Sequence, residues 1–397
     1  MKKTLALLLA LMMLLALTAC GGETAPAPAP ATDAPDDGPV DTPVDTPVDV
    51  PGADETEMMV AMITDYGDIT DQSFNQTTYE AAKAWCEENG VEFTYFKPAS
   101  DSDADRVSMI ENAIDKDFNV IVMPGYAFAN AIAATVEEYP DVTFIALDVS
   151  EYDLNSAGLT EFPANLYSAV YQEELCGYMA GYAAVKLGYT KLGFLGGMAV
   201  PAVMRYGYGF VQGANDAAVE TGSDVSVNYA YGNQFYGDAD ITAAMDTWYY
   251  GGTEIVFACG GGIYTSAGEA AAKVGGKVIG VDVDQQATID GLYGEGMTVT
   301  SAMKGLAATV NTLLTKVQDG TFVGGLVDNL GLVSENPEEN YVQIPMSTQF
   351  SDSFTEEDYY DLVADLFNGE ITVSNDISLT ASDFATDIAL TDLGNLK

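Results

Sequence analysis

The sequence predicts an α/β protein with two doubly wound parallel-sheet lobes. Short apolar runs of strand length alternate with amphipathic stretches of about 10–20 residues, which is typical of parallel sheets covered on both faces. This alternation occurs twice along the chain. The residues from 58 to 397 also exceed what one hydrophobic core usually holds. We therefore expect two lobes joined by a hinge, with a cleft between them.

The chain begins with a secretory signal. Lys2 and Lys3 precede an apolar run, Leu5–Leu17, that is too short to span a bilayer, and small residues lead to Cys20. The end of this segment resembles the bacterial lipobox, in which the thiol is lipidated and becomes the first residue of the mature chain. We predict a lipoprotein signal peptide over residues 1–20 and a lipid anchor on the extracytoplasmic face of a bacterial cell membrane. The alternative is an ordinary secreted protein with a cysteine there by chance.

Residues 21–57 form the next segment, which reads as a disordered acidic tether. It is rich in Pro, Ala, Thr and Asp, repeats Asp-Thr-Pro-Val at Asp41 and Asp45, and contains no Lys, Arg or aromatic residue. Such a composition buries too little apolar surface to offset the entropy of ordering, and its prolines keep it extended.

The first series of elements begins after the tether. The pattern predicts strands at Met58–Thr64, Val91–Phe96, Asn119–Met123 and Val142–Leu147, and helices at Asn75–Asn89, Asp103–Lys116 and Ala127–Glu138. A long helical region, Leu166–Leu187, follows.

The second series predicts strands at Lys191–Leu195, Ser226–Ala230, Ile255–Cys259 and Lys277–Val281, with helices at Val203–Glu220, Ala239–Tyr250 and Ser266–Val274. We interpret a predicted strand at Met297–Ser301 and a predicted helix at Ala302–Gln318 as a crossing of the chain back to the first lobe. A helix near Glu356–Phe367 and a strand at Glu370–Val373 complete the chain. We assign residues 58–160 and 298–325 to lobe 1, and residues 161–297 and 326–397 to lobe 2.

Composition excludes several function classes. The formal charge of −46 makes nucleic acid and polyanionic substrates poor partners. The chain has no histidine, which removes the general base of Ser-His and Cys-His nucleophile systems. We predict a protein that is not an enzyme and needs no cofactor or metal. Cys86, Cys176 and Cys259 lie in apolar patterns and are expected to be buried core thiols.

Ligands of open α/β sheets bind beyond the carboxyl ends of the strands. The residues found there are carboxylates, aromatic rings, glycines and one lysine, and they fall into motifs: Thr64-Asp65-x-Gly67-x-x-x-Asp71-x-Ser73-Phe74-Asn75, Phe144-x-x-x-Asp148, Gly193-Phe194-x-Gly196-Gly197, Ile255-x-Phe257-x-x-Gly260-Gly261-Gly262, Ile279-Gly280-Val281-Asp282-x-Asp284-Gln285 and Thr300-Ser301-x-x-Lys304.

These motifs, in this order, resemble the basic membrane protein family of bacterial substrate-binding lipoproteins, which includes a purine nucleoside receptor of an ABC importer. The resemblance implies the type I periplasmic-binding-protein fold. It also implies a purine nucleoside ligand of the inosine, guanosine or adenosine class and an ABC permease as the membrane partner. We expect a monomer.

The resemblance also implies a role for each site residue. Phe74 and Phe257 would stack on the two faces of the purine, and Phe235 would be a further pocket aromatic. Asp65, Ser73 or Asn75, and Asp148 would bond base or ribose donors. Asp282 would hold ribose hydroxyls beside Lys304, and a backbone amide near Gly262 would complete the site. The chain departs from the family pattern in its glycine loop and after Pro124-Gly125, which leaves the identity of the base open.

The side chains at the strand ends are suited to an uncharged ligand that is rich in hydrogen-bond donors. Aromatic rings stack on a flat heterocycle, and ionised carboxylates accept charge-assisted hydrogen bonds from hydroxyls. A phosphate would require Lys, Arg or a free helix N-terminus.

Structural roles stay open for several residues. Phe74 fits a hydrophobic staple, Phe257 fits the core, Asp148 and Asp282 fit helix caps, and Lys304 fits a pair with a surface acid. The tyrosine-rich patches, which include Tyr206, fit packing and surface.

Three other functions remain. The same clamp would hold a sugar or sugar-like signal, since a phenylalanine ring also stacks on a pyranose. A nucleoside hydrolase would require turnover. A surface adhesin is permitted by the tether but has no supporting motif.

Overall fold

The computed structural model describes residues 57–397. The predicted signal peptide, the lipidation site Cys20 and the tether up to residue 56 lie outside the described residues.

Two sheets organise the described chain. The first has the strand order β11-β5-β4-β3-β1-β2 and the second has the order β12-β10-β9-β8-β6-β7-β13. Neighbouring strands are parallel except for the short antiparallel pair of β10 with β12. The strands are Met59–Ile63 (β1), Glu92–Phe96 (β2), Val120–Pro124 (β3), Thr143–Leu147 (β4), Leu166–Tyr171 (β5), Lys191–Gly196 (β6), Ser226–Tyr231 (β7), Ile255–Cys259 (β8), Lys277–Asp282 (β9), Thr298–Lys304 (β10), Leu326–Leu330 (β11), Val342–Gln343 (β12) and Ala389–Asn395 (β13).

Helices cover both sheets. They are Phe74–Asn89 (α1), Asp103–Ile114 (α2), Ala129–Thr135 (α3), Glu151–Ser156 (α4), Glu173–Lys186 (α5), Pro201–Thr221 (α6), Ala239–Tyr250 (α7), Tyr264–Ala272 (α8), Gln286–Tyr293 (α9), Leu306–Gln318 (α10) and Glu356–Phe367 (α11). The central strands β3 and β8 are buried along their whole length, as near-continuous apolar sequence predicts.

Two predicted elements are wrong. The predicted helical region Leu166–Leu187 is strand β5 followed by helix α5, because the turn at Gln172 separates two apolar segments that read as one. The predicted strand at Glu370–Val373 is irregular, and the last strand is instead β13, which pairs with β7 at the sheet edge.

The lobe boundaries also differ from the predicted division. Strand β5, assigned to lobe 2, pairs with β4 in the first sheet, and strand β10, assigned to lobe 1, pairs with β9 in the second sheet. Helix α10 packs on α1 of the first lobe. The chain therefore crosses between the lobes after Tyr171, after Lys304 and after Leu330. Apolar periodicity shows that a strand exists but does not show which sheet it joins.

Helices α5 and α6 pack closely because glycines face backbone across the contact. A Cβ on Gly177 would lie 2.2 Å from the carbonyl oxygen of Tyr206, and one on Gly209 would lie 2.0 Å from that of Glu174. Only a residue without a side chain permits this approach. It fixes the first turns of α6 beside the start of α5, next to the cleft.

Cys86, Cys176 and Cys259 are buried free thiols, as predicted. Among residues 57–397, no helix is both long and apolar enough to cross a membrane.

Candidate ligand-binding site

A cavity of about 530 Å³ lies between the lobes, within the size range of small-molecule sites. Its wall is formed by the loops that follow the carboxyl ends of strands from both sheets, together with the first turns of α1 and α6. Of the predicted site residues, eight contribute to this wall: Asp65, Phe74, Asn75, Asp148, Phe235, Gly262, Asp282 and Lys304.

The cavity lies at the point where the strand order reverses in each sheet. In the first sheet β1 and β3 are neighbours, and in the second β6 and β8 are neighbours. The loops after such strands diverge and leave a crevice. Gly125 closes the first crevice against Asp65, since a Cβ on this glycine would lie 2.9 Å from the Asp65 Oδ2.

Lys304 is the centre of a buried ion cluster at the base of the cavity. Its Nζ lies 2.5 Å from Asp148 Oδ2, 3.4 Å from Glu173 Oε1 and 3.7 Å from Asp282 Oδ1. Burial alone would lower the pKa of Lys304, but the surrounding carboxylates raise it above its ordinary value. The lysine is therefore charged, and it joins acids from both lobes rather than a surface acid.

Asp282 is oriented by two hydroxyl groups. Ser73 Oγ donates to Asp282 Oδ2 at 2.5 Å, and the Tyr206 hydroxyl donates to Oδ1 at 3.3 Å. Ser73 belongs to the first lobe and Asp282 to the second. Ser73 lies outside the cavity wall. Its contact is with Asp282, which gives it a positioning role in the structure.

Asp148 presents an oxygen with no partner. Its Oδ1 is buried and accepts no hydrogen bond from any group of residues 57–397, while Oδ2 accepts from Lys304. Burial raises the pKa of Asp148 to about 6, against the effect of Lys304 and with a further rise from Glu173 and Asp282. A buried acceptor without a donor is costly, so the cavity is suited to a ligand that supplies one.

Asp65 and Asn75 line another part of the wall. Asp65 Oδ1 accepts from the backbone amides of Tyr66, at 2.6 Å, and Gly67, at 2.7 Å. Burial raises the pKa of Asp65, and these amides and the Arg106 charge oppose the rise. Asn75 Nδ2 donates to Asp71 at 3.3 Å, and its buried Oδ1 has no partner.

Of the two phenylalanines predicted to stack on the purine, Phe74 and Phe257, one is misplaced. Phe257 is fully buried in the core, where its ring contacts those of Phe194, Tyr206 and Phe210 at centroid distances of 5.5, 5.9 and 5.5 Å. Phe257 lies within strand β8, and its full burial confirms the alternative interpretation, in which this ring belongs to the core. Phe74 does line the cavity, with the Lys304 Nζ 4.7 Å from its ring centroid.

Phe235 is the phenylalanine that lines the cavity on the second lobe. Its ring occupies space left by two glycines: a Cβ on Gly197 would lie 2.4 Å from Phe235 Cδ1, and one on Gly260 would lie 3.0 Å from the same atom. The resemblance placed Phe235 in the pocket, and these two glycines make room for its ring.

The amide of Gly262 is not free for a ligand. It donates to the Phe235 carbonyl at 2.9 Å and so fixes the loop that carries this ring. Gly262 therefore lines the cavity but acts through the loop. The left-handed backbone of Gly261, with φ of 50°, allows the turn.

The alternative roles of the two strand-end aspartates are not observed. The N-cap of α4 is Ser150, with a capping box to Asp153, and the residue at the N-cap of α9 is Gln285. Asp148 and Asp282 instead meet Lys304.

Sequence reasoning missed several residues of the wall and of the cluster behind it. Tyr206 was interpreted as packing, yet it lies in the wall and bonds Asp282. Arg205 and Glu173 were not considered, because nothing in their own sequence positions shows that α6 and α5 meet at the cleft. Further aromatic residues of the wall are Tyr66, Tyr126, Tyr236 and Tyr264.

The fold and this cleft are those of a protein that holds a small solute between two lobes. The family described as "Bmp: ABC transporter substrate-binding protein PnrA-like" matches residues 58–375, and the chain belongs to this family.

Two curated relatives support this assignment to the family. The chain is 29% identical over 294 residues to the ABC transporter nucleoside-binding protein BmpA of Lactococcus lactis, covering 70% of this chain and 79% of that one. It is 27% identical over 322 residues to basic membrane protein A of Borreliella burgdorferi, covering 79% and 87%.

Solved structures confirm the periplasmic-binding-protein-like fold. An ABC transporter solute-binding protein from Aeropyrum pernix has a TM-score of 0.61 at 22% identity, covering 83% of this chain and 90% of that one. Another from Conexibacter woesei has a TM-score of 0.62 at 22% identity, covering 80% and 99%.

Proposed function

We propose that this protein is a lipid-anchored receptor that binds a purine nucleoside between its lobes and delivers it to an ABC permease. The observation that carries the proposal is the meeting of Asp148, Asp282 and Lys304 beside the Phe74 ring. Carboxylates from both lobes and an aromatic face thus converge on one cavity. The Lactococcus relative is named a nucleoside-binding protein, which supports the same ligand class.

Each part of a nucleoside has a counterpart in this wall. Phe74 and Phe235 offer faces for the base, and stacking contributes about 1–3 kcal/mol per base in nucleic-acid sites. Asp148 and Asp282 offer acceptors for vicinal ribose hydroxyls. Asp65 and Asn75 offer acceptors for further donors of the ligand. Affinity for the closed arrangement would favour closure, with no covalent chemistry.

Thermal-shift titration with inosine, guanosine, adenosine, ribose and galactose tests the ligand class. We expect a rise in melting temperature with at least one nucleoside and none with the two sugars. The rise should be lost in Asp282→Asn and retained in the control Asp319→Asn, whose side chain is exposed. Stabilisation by sugars alone would reject the nucleoside and favour the sugar-binding clamp.

A chromatographic assay separates binding from hydrolysis. Inosine incubated with the protein should be recovered unchanged, and release of hypoxanthine would favour the hydrolase alternative.

The lipid anchor is tested in cells. We expect the full-length chain to fractionate with membranes and Cys20→Ser to lose this association. Unchanged membrane association of Cys20→Ser would contradict lipidation at this residue.

A further inference from the structure

The cavity wall carries far more negative than positive charge. Its two cations are Arg205 and Lys304. The carboxylates of the wall are Asp65, Asp68, Asp71, Asp148, Asp153 and Asp282.

Glu173 engages both of these cations from behind the wall. It is fully buried and does not line the cavity. Its Oε2 accepts from Arg205 Nε at 2.7 Å, and its Oε1 lies 3.4 Å from Lys304 Nζ. One carboxylate thus uses each of its oxygens on a different cation of the site.

Glu174 places a second carboxyl beside Arg205. Its Oε2 lies 3.8 Å from Arg205 Nε, and this buried oxygen has no hydrogen-bond partner within the part of the chain that the structure describes. Burial raises the pKa of Glu174 to about 7, and the neighbouring Glu173 adds to the rise. The two residues begin helix α5, where the helix dipole favours negative charge.

A phosphorylated ligand would need these cations. Recognition of a phosphate dianion normally uses Arg or Lys whose donors are free, often in bidentate geometry. Here Arg205 is directed to Glu173, and Lys304 is shared among Glu173, Asp148 and Asp282. The wall therefore offers a phosphate a net negative field, and both of its cations are already paired with carboxylates.

We propose that Glu173 and Glu174 are specificity-determining residues that exclude phosphorylated ligands by holding Arg205 and Lys304 in ion pairs. The proposal rests on the proposed function, since it concerns the nucleoside site. It goes further in assigning the rejection of nucleotides to two residues that lie outside the wall.

The test is a gain of binding, which damage to the fold cannot produce. Calorimetry would give Kd for inosine and for inosine 5′-monophosphate with the wild-type protein and with Glu173→Gln/Glu174→Gln. We expect the wild type to prefer inosine by about a hundredfold or more. In the double variant the ratio of the nucleotide Kd to the inosine Kd should fall by at least about tenfold. The nucleotide should bind more tightly because Arg205 is released from its carboxylate partners.

Two further variants serve as controls for this experiment. Glu137→Gln/Glu138→Gln alters an exposed adjacent pair and should keep the wild-type ratio. Arg205→Gln added to the double variant should abolish the gain. A double variant that folds and binds the nucleotide no better than the wild type overturns the proposal.

The outcomes for the two proposals are separate. Failure of the wild type to bind inosine rejects the nucleoside function, whereas the claim about Glu173 and Glu174 depends only on whether the variant gains nucleotide binding. Should the double variant show no cooperative melt, Glu173→Gln decides alone, because Glu173 supplies the oxygen that accepts from Arg205 Nε and the oxygen beside Lys304. A narrowed ratio supports the proposal and an unchanged ratio overturns it.

Discussion

Asp148 and Asp282 hold backbone conformations that a residue with a side chain rarely adopts. Their φ angles are 60° and 65°, in the left-handed region. Such conformations cost about 1–3 kcal/mol each and persist where the surrounding structure requires them. Asp148 follows the last residue of β4 and Asp282 is the last residue of β9. The chain turns at each, which places both carboxylates against Lys304. The strain is located where the ligand is proposed to bind.

Phe74 and Phe257, the two phenylalanines that the resemblance assigned to the faces of the purine, should respond differently to mutation. Phe74→Ala should weaken inosine binding by about 1–3 kcal/mol with little change in the free energy of unfolding, because the ring lies in the wall. Phe257→Ala should lower the free energy of unfolding by about 3–5 kcal/mol, because the ring is fully buried. Urea denaturation and calorimetry measure both quantities. A loss of stability in Phe74→Ala without loss of affinity would assign that ring to the core.

Binding should weaken in acid. The pKa of Asp148 is raised to about 6 by burial, so this carboxylate is ionised above that pH and protonated below it. Hydroxyl donors of the ligand prefer the ionised form, and affinity should fall by up to about tenfold per pH unit below pH 6. Between pH 7 and 8, Asp148 should contribute no pH dependence.

Asp148→Asn supplies the control for this profile. It should bind more weakly at pH 7 and lose the decline below pH 6 that Asp148 causes. A wild-type affinity that stays constant down to pH 5 would contradict a role for this carboxylate.

The strand-end residues of the site could be predicted from sequence, but their contacts could not. Asp148, Asp282 and Lys304 were found because the ends of apolar strands meet at one sheet edge. Phe257 was misplaced because a motif position within a strand does not show which face its side chain occupies. Glu173 and Tyr206 were missed because their partners lie far away in sequence. Glu173 bonds Arg205 across the contact between α5 and α6, and Tyr206 bonds Asp282 at the end of β9.

At the scale of elements, the contact of α5 with α6 connects the core to the site. Glycines on both helices let the backbones touch, and α6 then presents Arg205 and Tyr206 to the cavity. Close backbone packing is rigid, so the start of α6 has little freedom to move. The position of the cavity wall therefore depends on residues that do not line it.

Gly181→Ala tests this contact. The added Cβ would lie 2.1 Å from the Phe210 carbonyl oxygen, so the helices must separate. We expect a loss of about 1–3 kcal/mol in the free energy of unfolding, together with weaker inosine binding.

Gly291→Ala is the matched control for Gly181→Ala. It lies in helix α9 with nothing within 4 Å of the added Cβ, and it should be neutral or stabilising by up to about 1 kcal/mol. Equal effects of the two substitutions in urea denaturation would show that the close helix contact is unimportant.

The existence of most elements followed from apolar periodicity, whereas sheet membership did not. β5 and β10 are both strands of ordinary apolar pattern, and their assignment depends on which neighbour they pair with. The single helical region predicted over residues 166–187 is wrong for the same reason. Local sequence carries no information on the crossing between lobes at Gln172. The hinge is thus the part of the fold that sequence predicts least well.

At the scale of the whole molecule, the lobes also contact each other directly. Gln72 of the first lobe, with φ of 56°, accepts from Gln285 Nε2 at its carbonyl, at 2.9 Å, and from Thr288 Oγ1 at its side chain, at 3.1 Å. Ser73 adds its bond to Asp282. These bonds join the two lobes directly, and we expect them to favour closure of the cleft. Because a ligand that bridges the lobes favours the same state, loss of such a bond should reduce its affinity.

Thr288→Val removes one of these bonds at nearly constant shape. We expect inosine binding to weaken by about 0.5–1.5 kcal/mol, because the closed state loses one contact. Thr247→Val, in which the lost hydroxyl bonds only within its own helix, should leave the affinity unchanged. Calorimetry of the two variants decides, and an unaltered Kd for Thr288→Val would contradict the contribution of this bond to closure.

A crystal structure of the protein with inosine is the most direct test of the proposed site. We expect the purine ring in the cleft against Phe74 and Phe235, with ribose hydroxyls on Asp148 and Asp282. Inosine bound outside this cleft, or bound within it with its hydroxyls turned away from both aspartates, would contradict the proposed function of this site.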